Sequence, residues 1–312
     1  MIFITPNPAI DRTMLLPRFA AGEVHRSTQT IVMASGKGLN AARAARRLGA
    51  EPICMGFVGG QTGQAFETLA QSEGFHAIWT PIAGEMRTCV ILVDGSSSIS
   101  SVINEPGPSI SALEWEALQS NIFSALKATP APGVSVCFGG SLSPDTPAER
   151  FGKTIRSLSA AGHAVWVDTS GLALKTAIAS APAGIKVNVD EAADAVGQPI
   201  RSVSGALSTA RKIQRHGVGS VVLTLGKDGA VIVTESGSWH ALPPTIQTVS
   251  SVGSGDSFFG ALIVALERGL PPVTALAWGV AAGAANAMSA GGASFTFETF
   301  QELLGAVTLK EI

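Results

Sequence analysis

The chain has 312 residues, of which 46% are hydrophobic and 14% are charged. This composition favours one or two domains with a large buried core and excludes a disordered protein. The formal net charge is -2 with no long run of one sign, which argues against nucleic-acid binding. Arg43, Arg46 and Arg47 fall in one helix pattern and are interpreted as its solvated face.

The cysteines and the N-terminal stretch indicate a reducing, cytoplasmic setting. Cys54, Cys89 and Cys137 lie far apart, so neither a zinc site nor a disulfide framework is predicted. The first residues, MIFITPNPAI, contain no basic region, so no signal peptide is predicted. The apolar stretch VTALAWGVAAGAANAM is rich in alanine and too short to span a membrane, so we expect a buried helix there.

Short apolar runs alternate with helix patterns along the chain. The runs predict strands at 2–5, 52–59, 134–140, 163–170, 184–189, 220–226 and 230–236. The helix patterns, each ending on glycine, lie at 39–49, 62–74, 149–162 and 205–217. Because the strands are apolar throughout, the pattern predicts a mostly parallel sheet with helices on both faces.

Two segments without helix signals interrupt this alternation. Residues 12–33 and 86–104 predict hairpin-like strands with polar turns, and thus a small β layer that serves as a lid over a cleft. On this division, residues 1–11, 34–85 and 105–312 form the α/β core. The apolar lid strands need cover, so a homodimer through the lid is expected.

The stretch VGSGDSFFGALIVAL joins a Gly-rich turn to an apolar helix pattern. The free amides and the positive dipole end of such a helix can hold an anion, and Gly253 and Gly255 leave the approach open. Asp256 either caps this helix or accepts a proton from a bound hydroxyl. If the anion is a phosphoryl group, the amides offset its charge while Asp256 acts as a general base. No Walker sequence is present, so a P-loop kinase is disfavoured.

Two further motifs suit a ligand with hydroxyls. In ASGKGLN, Gly36 and Gly38 let a ligand approach the backbone, Asn40 can hydrogen-bond sugar hydroxyls and Lys37 can pair with a phosphate. In TPNPAIDRT, Asp11 follows a strand, where open α/β sheets bind ligands. The alternatives are a strand-to-helix turn with a solvated lysine and a turn-capping aspartate.

Two motifs in the second half of the chain suit a nucleotide. In KVNVDEAADAVG, Asn188 and Glu191 bracket a strand end and a helix start, which suits water-mediated positioning of Mg²⁺. Complementing the helix dipole with Asp190 or Glu191 is the alternative. TLGKDGA contains a Gly-Lys-Asp-Gly turn that, alone, predicts an ordinary β-hairpin.

Together, eight motifs in this order and spacing resemble the phosphofructokinase B-type, or ribokinase-like, family of sugar kinases. They are NPAID, GKGLN, RTCVILVD, INEPGP, GGSL, KVNVDE, TLGKDG and VGSGDSFFGAL, and they cover almost the whole chain. The likeness is strongest to the branch that holds 1-phosphofructokinase and tagatose-6-phosphate kinase. It implies a ribokinase-like α/β fold with a small β-sheet lid. Departures from the family pattern are Val187 in place of proline, Ser254 in place of alanine, and TPN in place of TLN before Pro8.

The resemblance implies roles for individual residues. Asp256 matches the catalytic base, and the anion hole is matched by Gly253, Ser254 and Gly255. The positions that contact substrate are matched by Asp11, Gly36, Lys37, Gly38, Asn40, Arg87 and Ser141, with Arg26 from the first lid segment. The nucleotide positions are matched by Lys186, Asn188, Thr224, Gly226 and Gly229, with Gly283 and Asn286 at the adenine.

The implied cofactors are ATP and Mg²⁺. Glu191 and Asn188 match the motif that organises Mg²⁺ through water. Some relatives bind a monovalent cation near the anion hole, and the carbonyl groups of Ser250 and Val252 are the candidate ligands for K⁺ here.

The resemblance implies a kinase that uses ATP to phosphorylate a ketohexose phosphate. Fructose 1-phosphate is the first choice of substrate, followed by tagatose 6-phosphate and fructose 6-phosphate. A neutral sugar or a nucleoside is the main alternative, and a non-catalytic sugar- or nucleotide-binding regulator on the same fold is a further one. If Lys37 and Arg87 point at one spot in the cleft, a phosphorylated substrate is favoured; an Arg87 held in a structural ion pair favours a neutral one.

Overall fold

The computed structural model describes residues 1–97, 99–129 and 133–312. Its strands are β1 Ile2–Thr5, β2 Ala9–Leu16, β3 Gln29–Ser35, β4 Ile53–Val58, β5 His76–Pro81, β6 Arg87–Asp94, β7 Ile99–Asn104, β8 Ser135–Gly139, β9 Ala164–Asp168, β10 Gly184–Asn188, β11 Ser220–Thr224, β12 Ala230–Thr234, β13 Gly237–Leu242 and β14 Thr308–Glu311. Its helices are α1 Lys37–Arg47, α2 Gly60–Ser72, α3 Ala112–Ala128, α4 Ala148–Ala160, α5 Gly171–Ala179, α6 Val189–Val196, α7 Val203–Gln214, α8 Ser254–Glu267, α9 Pro272–Ala287 and α10 Phe297–Ala306.

The main sheet has ten strands in the order β14-β13-β12-β11-β10-β9-β8-β1-β4-β5. The strands from β5 to β11 in this order run parallel, and β12, β13 and β14 extend the sheet in antiparallel fashion. The predicted fold class, a mostly parallel sheet with helices on both faces, is therefore confirmed. The carboxyl ends of β1, β8, β9 and β10 meet at one edge, where parallel sheets bind their ligands.

Both faces of the main sheet are buried under helices, which explains the apolar strands. Along β1, Ile2 and Ile4 enter the core beneath α3, α4 and α7, whereas Phe3 enters the core beneath α1, α8 and α9. The Phe3 ring meets the Phe259 ring of α8 edge to face, with 6.2 Å between their centroids. Burying each large apolar side chain stabilises the fold by about 1.5–3 kcal/mol. The two buried layers therefore hold the main sheet in place, and with it the edge on which the site lies.

The second sheet has four strands in the order β3-β2-β6-β7. β2 pairs with β3 and β6 pairs with β7 in antiparallel fashion, as the hairpin prediction requires, and β2 and β6 run parallel at its centre. This sheet extends beyond segment 12–33, since β2 begins at Ala9 and β3 ends at Ser35. One face of the sheet brings Asp11 of β2 beside Cys89 of β6.

The alanine-rich stretch near the C-terminus forms α9, a buried helix as predicted. In the ranges described above, no helix combines the length and hydropathy needed to cross a membrane. α9 packs on α8, and α8 packs on α1. Gly260 of α8 lies against the carbonyl oxygen of Ala41, so the lack of a side chain there lets the two helices approach closely.

Candidate active site

The stretch that joins a Gly-rich turn to an apolar helix forms the N-terminal end of α8. The helix begins at Ser254, so Asp256 lies in its first turn. Gly253 precedes it with φ +79°, which favours glycine, and no side chain caps the helix. Among the described residues, the Gly255 and Asp256 amides have no hydrogen-bond partner. This helix end can therefore donate to an anion.

Asp256 is buried at the centre of the site. The side-chain amide of Asn40 donates to its Oδ2 at 2.9 Å. Burial raises the pKa of Asp256 to about 6, and the nearby Asp168 carboxylate adds to this shift, whereas Lys37, Lys186 and the Asn40 hydrogen bond oppose it. A carboxylate whose pKa lies near neutrality suits a general base.

A buried ion cluster lies beside Asp256. The Nζ of Lys37 contacts Asp168 Oδ1 at 3.0 Å and Glu191 Oε1 at 2.8 Å, and the Nζ of Lys186 contacts Asp168 Oδ2 at 2.7 Å. Burial would raise the pKa of Asp168, but the two ammonium groups outweigh it and hold that pKa below its ordinary value. Burial opposes the charge of Lys37, yet Asp168 and Glu191 raise its pKa, so the ammonium stays protonated. The cluster thus presents two fixed positive charges near Asp256.

Sequence reasoning missed Asp168, which is fully buried. It ends β9, so the argument used for Asp11, an acid that follows a strand of an open α/β sheet, could have found it. Lys186 reaches under the α8 turn, because a Cβ on Gly255 would lie 2.9 Å from its Nζ. The α8 turn therefore sits directly over a buried cation.

The interpretation of Arg43 as part of a solvated helix face is wrong. Arg46 and Arg47 are exposed, but Arg43 is buried, with 5% of its surface accessible. It pairs with Glu73 at the end of α2, its Nε lying 2.6 Å from Oε2. Long-range pairing thus overrides the helix pattern, because it offsets the cost of burying the charge.

Ser35 lies between two of the predicted sugar-binding residues, Asp11 and Asn40, and Asn40 in turn donates to Asp256. α1 begins at Lys37, with Gly36 before it, so Asn40 lies in the first turn rather than opening the helix. The hydroxyl of Ser35 donates to Asp11 Oδ2 at 2.6 Å and lies 3.2 Å from Asn40 Oδ1. Burial raises the pKa of Asp11, although the Ser35 hydrogen bond and two arginines oppose the shift. A Cβ on Gly38 would lie 2.6 Å from the Ile4 carbonyl oxygen, so this turn packs on the end of β1.

Arg87 lies where β6 joins the core. Its Nη1 donates to the carbonyl of Glu105 at 3.1 Å and its Nη2 to that of Asn7 at 2.9 Å. Over the described ranges, no carboxylate forms an ion pair with it. Asn7 also donates to Ser141 Oγ at 3.4 Å. Arg26 lies exposed in the loop between β2 and β3, at the end of the small sheet away from Asp11, and the chain does not bring it to this group.

The predicted metal motif starts α6 and caps it. Asn188 Oδ1 accepts from the Glu191 amide at 2.8 Å, and Glu191 Oε2 accepts from the Asn188 amide at 3.0 Å. The other carboxylate oxygen of Glu191 holds Lys37. Among the described residues, no group of three or more His, Cys, Asp or Glu side chains is arranged to hold a metal.

The predicted nucleotide turn joins β11 to β12. The turn at Gly226–Asp228 is a short 3-10 helix that links the antiparallel pair, which agrees with the hairpin alternative. Thr224 ends β11, and Gly229 has φ +81° and lies directly against the carbonyl of Ala241.

The residues predicted at the adenine lie beside the α8 turn. Asn286 is fully buried in α9, and its side chain donates to the Val252 carbonyl at 2.8 Å and to Ser254 Oγ at 3.2 Å. A Cβ on Gly283 would lie 3.2 Å from the Ser254 carbonyl oxygen. Ser250 Oγ lies 3.2 Å from Ser100 Oγ of β7. Asn286 therefore holds the turn that precedes Asp256.

The comparison with protein families agrees with this geometry. The model of the pfkB family of carbohydrate kinases matches residues 5–299, nearly the whole chain. The chain belongs to the pfkB family. As a pfkB-family member, it is an ATP-dependent carbohydrate kinase, and the predicted family and type of enzyme are confirmed.

Individual pfkB-family relatives match over most of their length. A 1-phosphofructokinase of Xanthomonas campestris is 31% identical over 269 residues, which cover 85% of this chain and 83% of that protein. A 1-phosphofructokinase of Bacillus subtilis is 29% identical over 286 residues, 92% of each chain. The crystal structure of phosphofructokinase-2 from Escherichia coli in complex with substrates and products has a TM-score of 0.90, covers 98% of both chains and is 24% identical. This last likeness shows that the two share a fold.

Proposed function

We propose that the chain uses ATP to phosphorylate a ketohexose phosphate. Fructose 1-phosphate is the preferred substrate, ahead of tagatose 6-phosphate and fructose 6-phosphate. One observation carries the proposal: Asp256 is buried in the first turn of an uncapped helix whose Gly255 and Asp256 amides have no partner among the described residues. It lies near the buried ammonium of Lys186 and the partly exposed ammonium of Lys37. The relatives named 1-phosphofructokinase support the choice of substrate.

The proposed mechanism divides the work between Asp256 and the helix end. Asp256 takes the proton of the sugar's primary hydroxyl as that oxygen attacks the γ-phosphorus, and the bond from phosphorus to the ADP oxygen breaks in line. The free amides of Gly255 and Asp256 and the cation of Lys37 offset the charge on the transferring group. Asn40 orients the carboxylate through its 2.9 Å hydrogen bond. The small sheet closes over the cleft and excludes water.

The described residues fit Mg²⁺ as an ion that travels with ATP. Glu191 and Asp168 both place carboxylate groups beside Lys37, and Asn188 fixes Glu191. These groups would hold water molecules of the ion, and the phosphates would be its direct ligands. When bound, the ion supplies positive charge to the phosphates.

For K⁺, the Val252 carbonyl keeps one acceptor position beyond its bond to Asn286, and Ser250 lies two residues before it in the chain.

Arg87 favours a phosphorylated substrate over a neutral sugar or a nucleoside. Within the part of the chain that the structure describes, its guanidinium donates to two backbone carbonyl groups and to no carboxylate, and its charge lowers the pKa of Asp11. An arginine without a carboxylate partner can take a phosphate through its planar fork. Lys37 points instead toward Asp168 and Glu191, so we assign it to the transferring phosphoryl group rather than the substrate's own phosphate. A non-catalytic regulator would not need this set of charges.

The small sheet is the proposed dimer interface. Apolar side chains are exposed on it, with Ile99 65%, Val102 47% and Ile103 59% accessible. Exposed apolar side chains on a strand at the sheet edge invite pairing with another chain. A homodimer through this face is expected by sedimentation, and Ile103→Lys should shift it toward the monomer.

We place the enzyme in the cytoplasm, where its three free cysteines stay reduced.

The test is a coupled assay of ADP release over a panel of sugars and sugar phosphates. Fructose 1-phosphate should give the highest kcat/KM, and Arg87→Met should raise KM for phosphorylated sugars more than for neutral ones. Faster turnover of a neutral sugar or a nucleoside would replace the proposed substrate. ATP turnover that no sugar stimulates would support the regulator instead.

A further inference from the structure

Arg43 of α1 lies one helical turn beyond Asn40, a candidate substrate-binding residue, and is not itself among the residues predicted to contact the substrate. Its guanidinium is buried and makes four hydrogen bonds. It donates through Nη1 to Asn40 Oδ1 at 2.7 Å and through Nη2 to the Ala34 carbonyl at 2.7 Å. It also donates through Nε and Nη2 to the two oxygens of Glu73, at 2.6 and 2.9 Å. One side chain thus joins α1, the end of β3 and the end of α2.

The contacts of Arg43 fix which way round the Asn40 amide lies. A guanidinium only donates, so the atom of Asn40 that faces it must be the oxygen. An ionised Asp256 only accepts, so the atom that faces Asp256 must be the nitrogen, and its distance to Oδ2 is 2.9 Å. Reversing the amide would set two donors against each other at Arg43 and two acceptors against each other at Asp256. The hydrogen bonds that link Glu73 to Arg43, Arg43 to Asn40 and Asn40 to Asp256 therefore allow one orientation of the Asn40 amide.

We propose that Arg43, held by Glu73, is a positioning residue for the phosphoryl transfer, because it locks the Asn40 amide so that it donates to Asp256. This inference rests on the proposed function of Asp256 as the base. Without Arg43, the amide is free to turn and Asp256 loses an aligned donor. The carboxylate then loses both its orientation toward the attacking hydroxyl and the hydrogen bond that favours its ionised form.

The other charges around Asp256 do not depend on Arg43. The carboxylate is faced by Asp168 from β9, by Lys37 from α1 and by Lys186 from β10. Among the described residues, none of these three forms a hydrogen bond or ion pair with Arg43. A change at Arg43 therefore reaches Asp256 through Asn40. Among the described residues, Ser35 also places a hydroxyl 3.2 Å from Asn40 Oδ1, but that hydroxyl donates to Asp11 Oδ2 at 2.6 Å.

Helix α1 offers a matched control in Arg46. Arg46 and Arg43 both lie over the Phe75 ring, at 5.1 and 5.3 Å from its centroid, and both donate to Glu73. Arg46 is exposed and makes no contact with Asn40. Arg46→Met thus removes the same kind of side chain from the same neighbours without touching the amide.

The experiment compares Arg43→Met with Arg46→Met in the full-length enzyme. Arg43→Met should lower kcat about tenfold or more, in line with the loss of a partner that orients a functional side chain, and should change KM for ATP little. The acid limb of the pH profile should move to higher pH, because the Asn40 bond lowers the pKa of Asp256. In the Asn40→Ala background, Arg43→Met should change kcat less than about twofold, since the connecting amide is gone.

A direct titration of Asp256 separates this inference from the proposed function. Carbon-13 NMR of aspartate-labelled enzyme, assigned with Asp256→Asn, needs no substrate and should show a higher pKa for Asp256 in Arg43→Met than in the wild type. Failure of every sugar in the panel would reject the proposed function, whereas this titration would still decide the role of Arg43. An unchanged Asp256 titration, additive effects with Asn40→Ala, or an equal effect of Arg46→Met would overturn the inference.

A second variant covers a failure of Arg43→Met to fold. Arg43→Lys keeps the positive charge, but an ammonium cannot span Asn40 and Glu73 with a rigid fork. It should give an intermediate shift of the Asp256 titration and an intermediate kcat. A wild-type titration in Arg43→Lys would likewise overturn the inference that the fork locks the amide.

Discussion

Helices α6 and α8 both start at the ligand-binding edge of the main sheet, but their first turns are built in opposite ways. α6 caps itself, because Asn188 and Glu191 each accept a hydrogen bond from the other's amide. α8 has no side-chain cap, and Gly253 before it has no side chain with which to make one. A capped start has used its amides, whereas an open start can donate them to a ligand.

On the proposed mechanism, the two helix ends serve phosphoryl transfer in different ways. α6 acts through a side chain, because its cap fixes Glu191 so that the second carboxylate oxygen holds Lys37 at 2.8 Å. α8 acts through its backbone and through Asp256, which its first turn places among the charges of Lys37, Lys186 and Asp168. Acidic residues occupy the first turn of both helices, but Glu191 is held by the α6 cap and by Lys37, whereas Asp256 accepts a hydrogen bond from Asn40.

The strongest test of the comparison removes the base from the open helix end. Asp256→Asn should lower kcat about a hundred- to ten-thousandfold, the range for loss of a general base, while ATP binding measured by calorimetry stays close to wild type. Asp194→Asn, an exposed change on α6, is the control and should leave kcat unchanged. Turnover of Asp256→Asn near the wild-type rate would show that Asp256 merely caps α8.

The next test removes the anion that links the two helix ends through the lysines. Asp168→Asn leaves Lys186 buried without its counter-ion, so unfolding in urea should show a loss of about 3–5 kcal/mol. Because the Asp168 charge raises the pKa of Asp256, the acid limb of kcat/KM should move to lower pH. A limb that stays in place would mean that Asp168 does not act on the base.

The wild-type pH profile tests the electrostatics of the open end. Asp256 accepts a proton only when it is ionised, so kcat/KM should rise with pH and reach half its plateau near pH 6. One unit below that pH, it should be about tenfold lower than on the plateau. A half-point near pH 4, the ordinary range for aspartate, would contradict the role of burial in raising this pKa.

The smallest effect is expected from the capped end. Asn188→Ala removes the acceptor for the Glu191 amide and should cost about 0.5–2 kcal/mol of stability. Ser202→Ala removes the corresponding cap of α7, whose hydroxyl contacts Ser204 and the Gly205 amide, and should cost a similar amount. Only Asn188→Ala should also lower kcat, since it loosens the helix turn that holds Glu191 against Lys37. Equal kcat in the two variants would show that the α6 cap is purely structural.

Site residues could be predicted from the sequence where the pattern that marks them lies in neighbouring residues. Asp256 and Asn40 each lie inside a short motif whose glycines and apolar helix pattern are adjacent in sequence, so sequence reasoning found them. Asp168 has no such motif, and its partner Lys37 lies 131 residues away. Arg43 was misread for the same reason, because its partner Glu73 is 30 residues distant and the helix pattern alone predicts a solvated arginine.

The sequence by itself determined the order of strands and helices, the Gly-rich turns and the family, because each of these is written in neighbouring residues or in their spacing. The tertiary structure decided the charges of the site. Burial raises the pKa of Asp256, two lysines hold Asp168 ionised, and Arg43 orients Asn40. These effects depend on distances in space and on exclusion of water, and packing of the main sheet with α1 and α8 creates both.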